Sequence, residues 1–181
     1  MLIDKDSSGL VLIDVQEKLT PHVMHAKSVV DGCQWLLKLS SKLSIPQLIS
    51  EQYPKGLQST VEELTDSIID IPVIDKTYFS CASDDDFMSS WQALDRKQAI
   101  LIGIETHVCV MQTALELNQK GYQVFVVGDV VSSRNKFDHQ MGLERMRQNG
   151  IQIVTKEMVF FEWIRKAGTD QFKSLSQQFL K

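Results

Sequence analysis

The stretch from Ala99 to Val131, AILIGIETHVCVMQTALELNQKGYQVFVVGDVV, decides how the rest of the chain is read. Ala99 to Ile102 is a short apolar run of the kind formed by a strand covered on both faces. Gly103 marks a tight turn, a helix follows, and Tyr122 to Val127 is a second buried strand. At the seam between the first strand and the helix stands Cys109. A helix amino terminus presents unpaired N–H groups and a positive dipole end, which favour thiolate over thiol. Cys109 is therefore a candidate nucleophile, with a lowered pKa as the expectation.

The same alternation runs outward in both directions. Gly9 to Val15 (GLVLIDV) is a central strand with Asp14 at its carboxyl end. Helical spacing of Val29, Val30, Cys33, Leu36, Leu37 and Leu43 predicts a helix over Ala26 to Leu43. Ile45 to Ser50 is a second strand, Glu51 to Thr60 a loop, and Val61 to Ser67 a weak helix. Pro72 to Lys76 is a third, shorter strand. Ser83 is expected to cap a helix from Asp84 to Leu94. Beyond Val127 come a loop (Gly128 to Lys136), a helix (about Phe137 to Asn149), a strand (Ile151 to Thr155) and carboxyl-terminal helices. Strands alternating with helices predict one α/β domain over residues 1–181 with a largely parallel sheet.

Composition narrows the function classes. The 181 residues are enough for one sizeable core. With 19 basic against 23 acidic residues, net −4, the chain lacks the footprint of a nucleic-acid or anionic-membrane binder. Cys33, Cys81 and Cys109 form neither a disulfide framework nor a C-x-x-C pair, and free thiols suit a reducing compartment. No secretory signal and no membrane-length apolar run are read, so a cytoplasmic protein is expected.

Open parallel sheets bind ligands beyond the carboxyl ends of their strands. Asp14, Lys76 and Cys109 all fall at or just past such ends. A thiol attacking a carbonyl carbon needs a base, a cation or dipole to support the charge, and donors for the oxyanion. Asp14 suits the first role, Lys76 the second, and N–H groups at the helix start the third. The bland alternatives are a buried core cysteine, a loop-capping aspartate and a surface lysine.

These residues also carry a resemblance. GLVLIDVQ with Asp14, DKTYFS with Lys76 and GIETHVCV with Cys109 resemble the signature blocks of the isochorismatase-like cysteine hydrolase superfamily, colinear from Gly9 to about Trp163. That superfamily includes nicotinamidases and N-carbamoylsarcosine amidases. SEQYPKGL and DVVSSRNKFDHQMGLERMRQNGIQIVTKEM are similar to its short, metal-free branch. The resemblance implies a three-layer α/β/α sandwich around a six-stranded parallel sheet. It implies a triad of Cys109 as nucleophile, Asp14 as base and Lys76 as supporting cation. It further implies a cis peptide at Ile104–Glu105 and an oxyanion hole from the N–H groups of Glu105 and Cys109. Nicotinamidases hold a metal through an aspartate and paired histidines after the second strand. Here that loop, EQYPKGLQST, has no histidine, so neither metal nor cofactor is expected.

The function this implies is hydrolysis of a small amide or carbamoyl C–N bond through a thioester, on a substrate the sequence leaves open, in a homo-oligomer. Tyr53, Tyr78, Phe79 and His107 are candidate pocket walls, with ordinary core or solvent positions as alternatives. Cys81 is read as a core or pocket-wall thiol, Cys33 as core, and His22 and His25 as a solvated loop. MVFFEW near Trp163 reads as helix packing or a subunit contact. The main competitor is a catalytically silent binding or scaffold protein on the same fold. A nucleotide- or flavin-binding domain ranks last, because no G-x-G-x-x-G follows the first strand.

Overall fold

A computed structural model describes residues 1–180. Six strands form one parallel sheet: β1 (Ser8–Ile13), β2 (Gln47–Gln52), β3 (Val73–Lys76), β4 (Gln98–Ile104), β5 (Gln123–Ser132) and β6 (Gln152–Val154), in the order β3-β2-β1-β4-β5-β6. The expected sheet is borne out. The order reverses between β1 and β4, so the crevice beyond their carboxyl ends is the place where such sheets take ligands. Asp14 directly follows β1, and the turn bearing Cys109 directly follows β4.

Among the described residues seven α-helices surround the sheet: α1 (Ala26–Lys42), α2 (Pro54–Leu57), α3 (Asp85–Ala93), α4 (Met111–Gln119), α5 (Lys136–Gln148), α6 (Lys156–Ile164) and α7 (Asp170–Phe179). Successive strand residues point to opposite faces, and the core divides accordingly. Leu10, Leu12, Ile100 and Ile102 join a cluster with Val29, Cys33 and Leu36 of α1 and Phe160 and Trp163 of α6. Val11, Ile13, Ala99 and Leu101 join a second cluster with Phe87 and Trp91 of α3 and Ala114 and Leu117 of α4, and this cluster contains Cys81 and Cys109. Burying each of these larger side chains stabilises the fold by about 1.5–3 kcal/mol. MVFFEW is helix packing: it lies in α6, where buried Trp163 donates from Nε1 to Ser8 Oγ at 3.1 Å.

Gly103 brings the two central strands together at the site. Its φ is +114°, and a Cβ built there would lie 2.1 Å from the Ile13 carbonyl oxygen. Only glycine permits both that conformation and that approach.

Three local expectations are corrected. The cap of α3 is Asp84, whose side chain accepts from the N–H groups of Asp86 and Phe87; Ser83 donates instead to Glu116 at 2.6 Å. Residues Glu62–Ser67 form a 3-10 turn rather than an α-helix. β5 continues to Ser132 through residues expected to be loop, because the β4–β5 register shifts between Leu101 and Gly103 and pairing resumes at Gly103 with Val131. Gly128 and Asp129 lie within that irregular stretch, and Asp129 accepts from the Lys156 N–H at 2.9 Å. Among the described residues, no helix is long and apolar enough to cross a membrane.

Candidate active site

β1 ends because Asp14 takes a left-handed conformation (φ 53°), and Tyr53 does the same after β2 (φ 38°). Such geometry in non-glycine residues collects at functional sites. The side chains of Asp14 and Lys76 are both fully buried, and Lys76 Nζ lies 2.7 Å from Asp14 Oδ2. Nζ also donates to Gln52 Oε1 at 2.6 Å and to the carbonyls of Phe79 and Tyr78 at 3.1 and 3.2 Å. The other oxygen of Asp14, Oδ1, accepts from Ser50 Oγ at 2.7 Å. Both oxygens of the carboxylate thus have donors, and the ammonium is fully engaged.

Burial raises the pKa of Asp14, and the charge of Lys76 with hydrogen bonds from Lys76, Ser50 and Cys109 only partly opposes it. For Lys76 burial is the largest single influence and acts downward, but the charge of Asp14, the charges of Cys81 and Cys109 and the hydrogen bond to Asp14 together outweigh it, and the pKa is raised. Lys76 is accordingly a cation, held in place by the carboxylate. Such a pair resists disruption because either partner alone would be an uncompensated buried charge.

Between β4 and α4 the chain makes a π-type turn, Thr106–Val110, preceded by a cis peptide at Ile104–Glu105. Cys109 lies in this turn, 6 % exposed. The Glu105 carbonyl accepts from the N–H groups of Val108 (3.1 Å) and Val110 (3.2 Å), bypassing that of Cys109 between them. The expected lowering of the thiol's pKa is not met. Burial raises it, the charge of Asp14 raises it further, and Lys76 pulls it down too little to compensate. The physical reason is that Lys76 is neutralised by Asp14, and the thiol sits within the apolar wall rather than at an open helix end. The raised pKa favours the thiol form of the resting sulfur, and Asp14 is the charge that acts on it most. A pair so placed can pass one proton from sulfur to oxygen when an electrophile arrives.

The remaining candidates divide. Tyr53, Tyr78 and Phe79 are 54 %, 59 % and 55 % exposed, so they are not core. Tyr53 and Phe79, with Gln52, Gly56, Leu57 and Thr77, line a hollow of about 490 Å³ beside the end of β3. His107 turns toward α5, with Nδ1 2.9 Å from Ser133 Oγ and Nε2 3.8 Å from Asp138 Oδ2. Cys81 is fully buried among the same charges, and burial, Asp14 and Lys76 together leave its pKa pushed up to about 11. Cys33 is core. Glu51 is occupied by Thr60, accepting from its N–H (2.6 Å) and Oγ1 (2.7 Å). Among the described residues no three His, Cys, Asp or Glu side chains cluster as metal ligands.

The Isochorismatase domain model matches residues 8–158. The chain belongs to the isochorismatase family. Among its relatives, isochorismatase family protein 1B of Dictyostelium discoideum is 35% identical over 174 residues, covering 94% of this chain and 84% of that protein. Among solved structures, a MAR1 ribonuclease from Caenorhabditis elegans superposes with TM-score 0.93 at 32% identity, over 100% of this chain and 93% of that one. The YcaC gene product of Escherichia coli, described as an octameric hydrolase of unknown specificity, superposes with TM-score 0.92 at 26% identity, over 99% and 91% of the two chains.

Within this isochorismatase-family site, sequence reasoning missed Ser50 and Gln52. They stand two residues apart at the end of β2, so they share a face, and that face meets Asp14 and Lys76. The signal was present in SEQYPKGL as three consecutive polar residues, Ser50 to Gln52, closing an apolar strand.

Proposed function

We propose that this isochorismatase-family hydrolase cleaves a small amide or carbamoyl C–N bond by way of a thioester on Cys109. What supports the reading is the buried, fully hydrogen-bonded Asp14–Lys76 pair at the sheet edge that also bears Cys109, whose thiol feels the charge of both groups.

As Cys109 Sγ attacks the carbonyl carbon, its proton passes to Asp14. The developing oxyanion is met by backbone N–H groups of Glu105 and Cys109, the Glu105 carbonyl being taken by the N–H groups of Val108 and Val110. Each such donor contributes about 3 kcal/mol of transition-state stabilisation. The tetrahedral adduct collapses as Asp14 returns the proton to the departing nitrogen, so the C–N bond breaks and an acyl-thioester and free amine result. Water, giving a proton to Asp14, then attacks the thioester, and the acid leaves as the proton returns to sulfur. Lys76 stays charged throughout, which keeps Asp14 ionisable as a base inside an apolar wall. The exposed aromatic rings of Tyr53, Tyr78 and Phe79 suit a small planar substrate and, together with the octameric neighbour, a homo-oligomer that covers them. Three free thiols fit a reducing, cytoplasmic setting. Cleavage of RNA, suggested by the names of several structural neighbours, finds no support in a net charge of −4 or in a lysine committed to Asp14.

The test is a panel of small amides and carbamoyl compounds read by ammonia release, with acid-quenched mass spectrometry. At least one compound is expected to yield ammonia and an acyl adduct on Cys109 in the wild-type chain and neither in Cys109→Ser. Undiminished release by Cys109→Ser refutes the reading.

A further inference from the structure

Three consecutive residues before the nucleophile reach across to one segment. Glu105 Oε2 accepts from the N–H of Arg134 at 3.2 Å and from its Nε at 3.1 Å. Thr106 Oγ1 lies 2.9 Å from His139 Nδ1, and His107 Nδ1 lies 2.9 Å from Ser133 Oγ. Thr106 and Ser133 are fully buried and their histidine partners half-buried, so these bonds are partly shielded from solvent; the Arg134 pair lies at the surface. At Gly142 on α5 a Cβ would stand 3.0 Å from His107 Cα and 3.3 Å from its backbone N, so the helix backbone is pressed against the turn. A π-type turn has poorer internal hydrogen-bond geometry than an α-helix and is seldom more than one turn long. Its shape here depends on outside support, and the support comes from Ser133 to Gly142.

We infer that Ser133, His139 and Gly142 are positioning residues that clamp the turn carrying Cys109 and so fix its sulfur and N–H against Asp14. None of them has a role in the proton transfers above; Ser133 and His139 act through the side chains of His107 and Thr106, and Gly142 through the His107 backbone. The groups facing these histidines are few. His107 meets Asp138 as well as Ser133, and the Glu105–Arg134 pair flanks them. Burial lowers the pKa of His139, which keeps its ring neutral and able to share one proton with Thr106.

This inference rests on Cys109 as nucleophile, and two readouts separate their failures. The first is amide hydrogen exchange over residues 106–111, followed by peptide mass spectrometry. The second is the pH profile of acrylamide addition to Cys109. Thr106→Ala, His139→Ala and Ser133→Ala are each expected to raise exchange in the turn tenfold or more, with β1 and β4 unchanged. They are also expected to move the alkylation midpoint to lower pH, as the thiol drifts from the Asp14 carboxylate. Thr106→Ser and His139→Asn, which keep a hydroxyl and a nitrogen in place, should restore both readouts. Should the alanine variants fail to fold, Gly142→Ala keeps every hydrogen-bonding group yet pushes on the turn, and the same two changes are expected. Unchanged exchange in the turn, or an unmoved alkylation midpoint, overturns the clamp. A wild-type Cys109 that takes neither acrylamide nor an acyl group overturns the nucleophile reading, and the exchange comparison then decides the clamp alone.

Discussion

Lys76→Met removes the ammonium while keeping most of the side chain's length. The lost group donates to four acceptors, and the carboxylate it leaves behind is fully buried. Breaking a buried pair from one side costs about 3–5 kcal/mol, because the remaining charge has no partner. That cost depends on pH, with a definite sign. Without Lys76 the pKa of Asp14, already raised by burial, rises further in the folded state and keeps its ordinary value when unfolded. Below the ordinary value both states hold the proton, and only the loss of the neutral hydrogen bonds remains. As pH rises, the unfolded chain ionises first and stability falls until the folded pKa is passed. Urea unfolding at pH 5 and pH 8 reads this directly. Lys76→Met should be destabilised by about 3–5 kcal/mol at pH 8 and less at pH 5. Adding Asp14→Asn should recover much of the difference by removing the charge. A loss of less than about 1 kcal/mol at both pH values would refute the pairing as an energetic feature.

Three further outcomes follow from the same geometry. Asp14→Asn should abolish ammonia release yet speed alkylation of Cys109 at pH 8, because the carboxylate that raises the thiol is gone and Lys76 still lowers it; slower alkylation would contradict this. In native wild-type protein, thiol titration at pH 8 should find Cys33 and Cys81 unreactive until denaturant is added, since both are fully buried with raised pKa values. Gly103→Ala should lose more than about 1 kcal/mol of stability, visible as a lower Tm, because its φ of +114° and its contact with Ile13 both exclude a methyl group.

The ends of β1 and β3 were legible because each was an apolar run closing on a charged residue, and that pattern brought Asp14 and Lys76 to one edge of the sheet. The six-stranded count and the family followed from the blocks around Asp14, Lys76 and Cys109. What was not legible depended on contacts between distant segments. The extension of β5 through Gly128 and Asp129 reflects a register shift against β4, which leaves no mark in local composition. Ser83 and Asp84 are both good caps, and the choice between them was made by Glu116, more than thirty residues on. The state of the Cys109 thiol was misjudged for a related reason. A helix start reads as electropositive in isolation, but here an apolar cluster and a neutralised lysine surround it.

The sheet also separates two kinds of consequence. Side chains of α1 and α6 pack on the opposite face from Cys109 and share no core cluster with it. Truncating Leu36 or Phe160 would erode thermal tolerance while the sulfur keeps its surroundings, whereas truncating Phe87 or Trp91 would loosen the wall that contains it. Sequence drift across the first face therefore has room to tune how long the molecule lasts without altering what it reacts with.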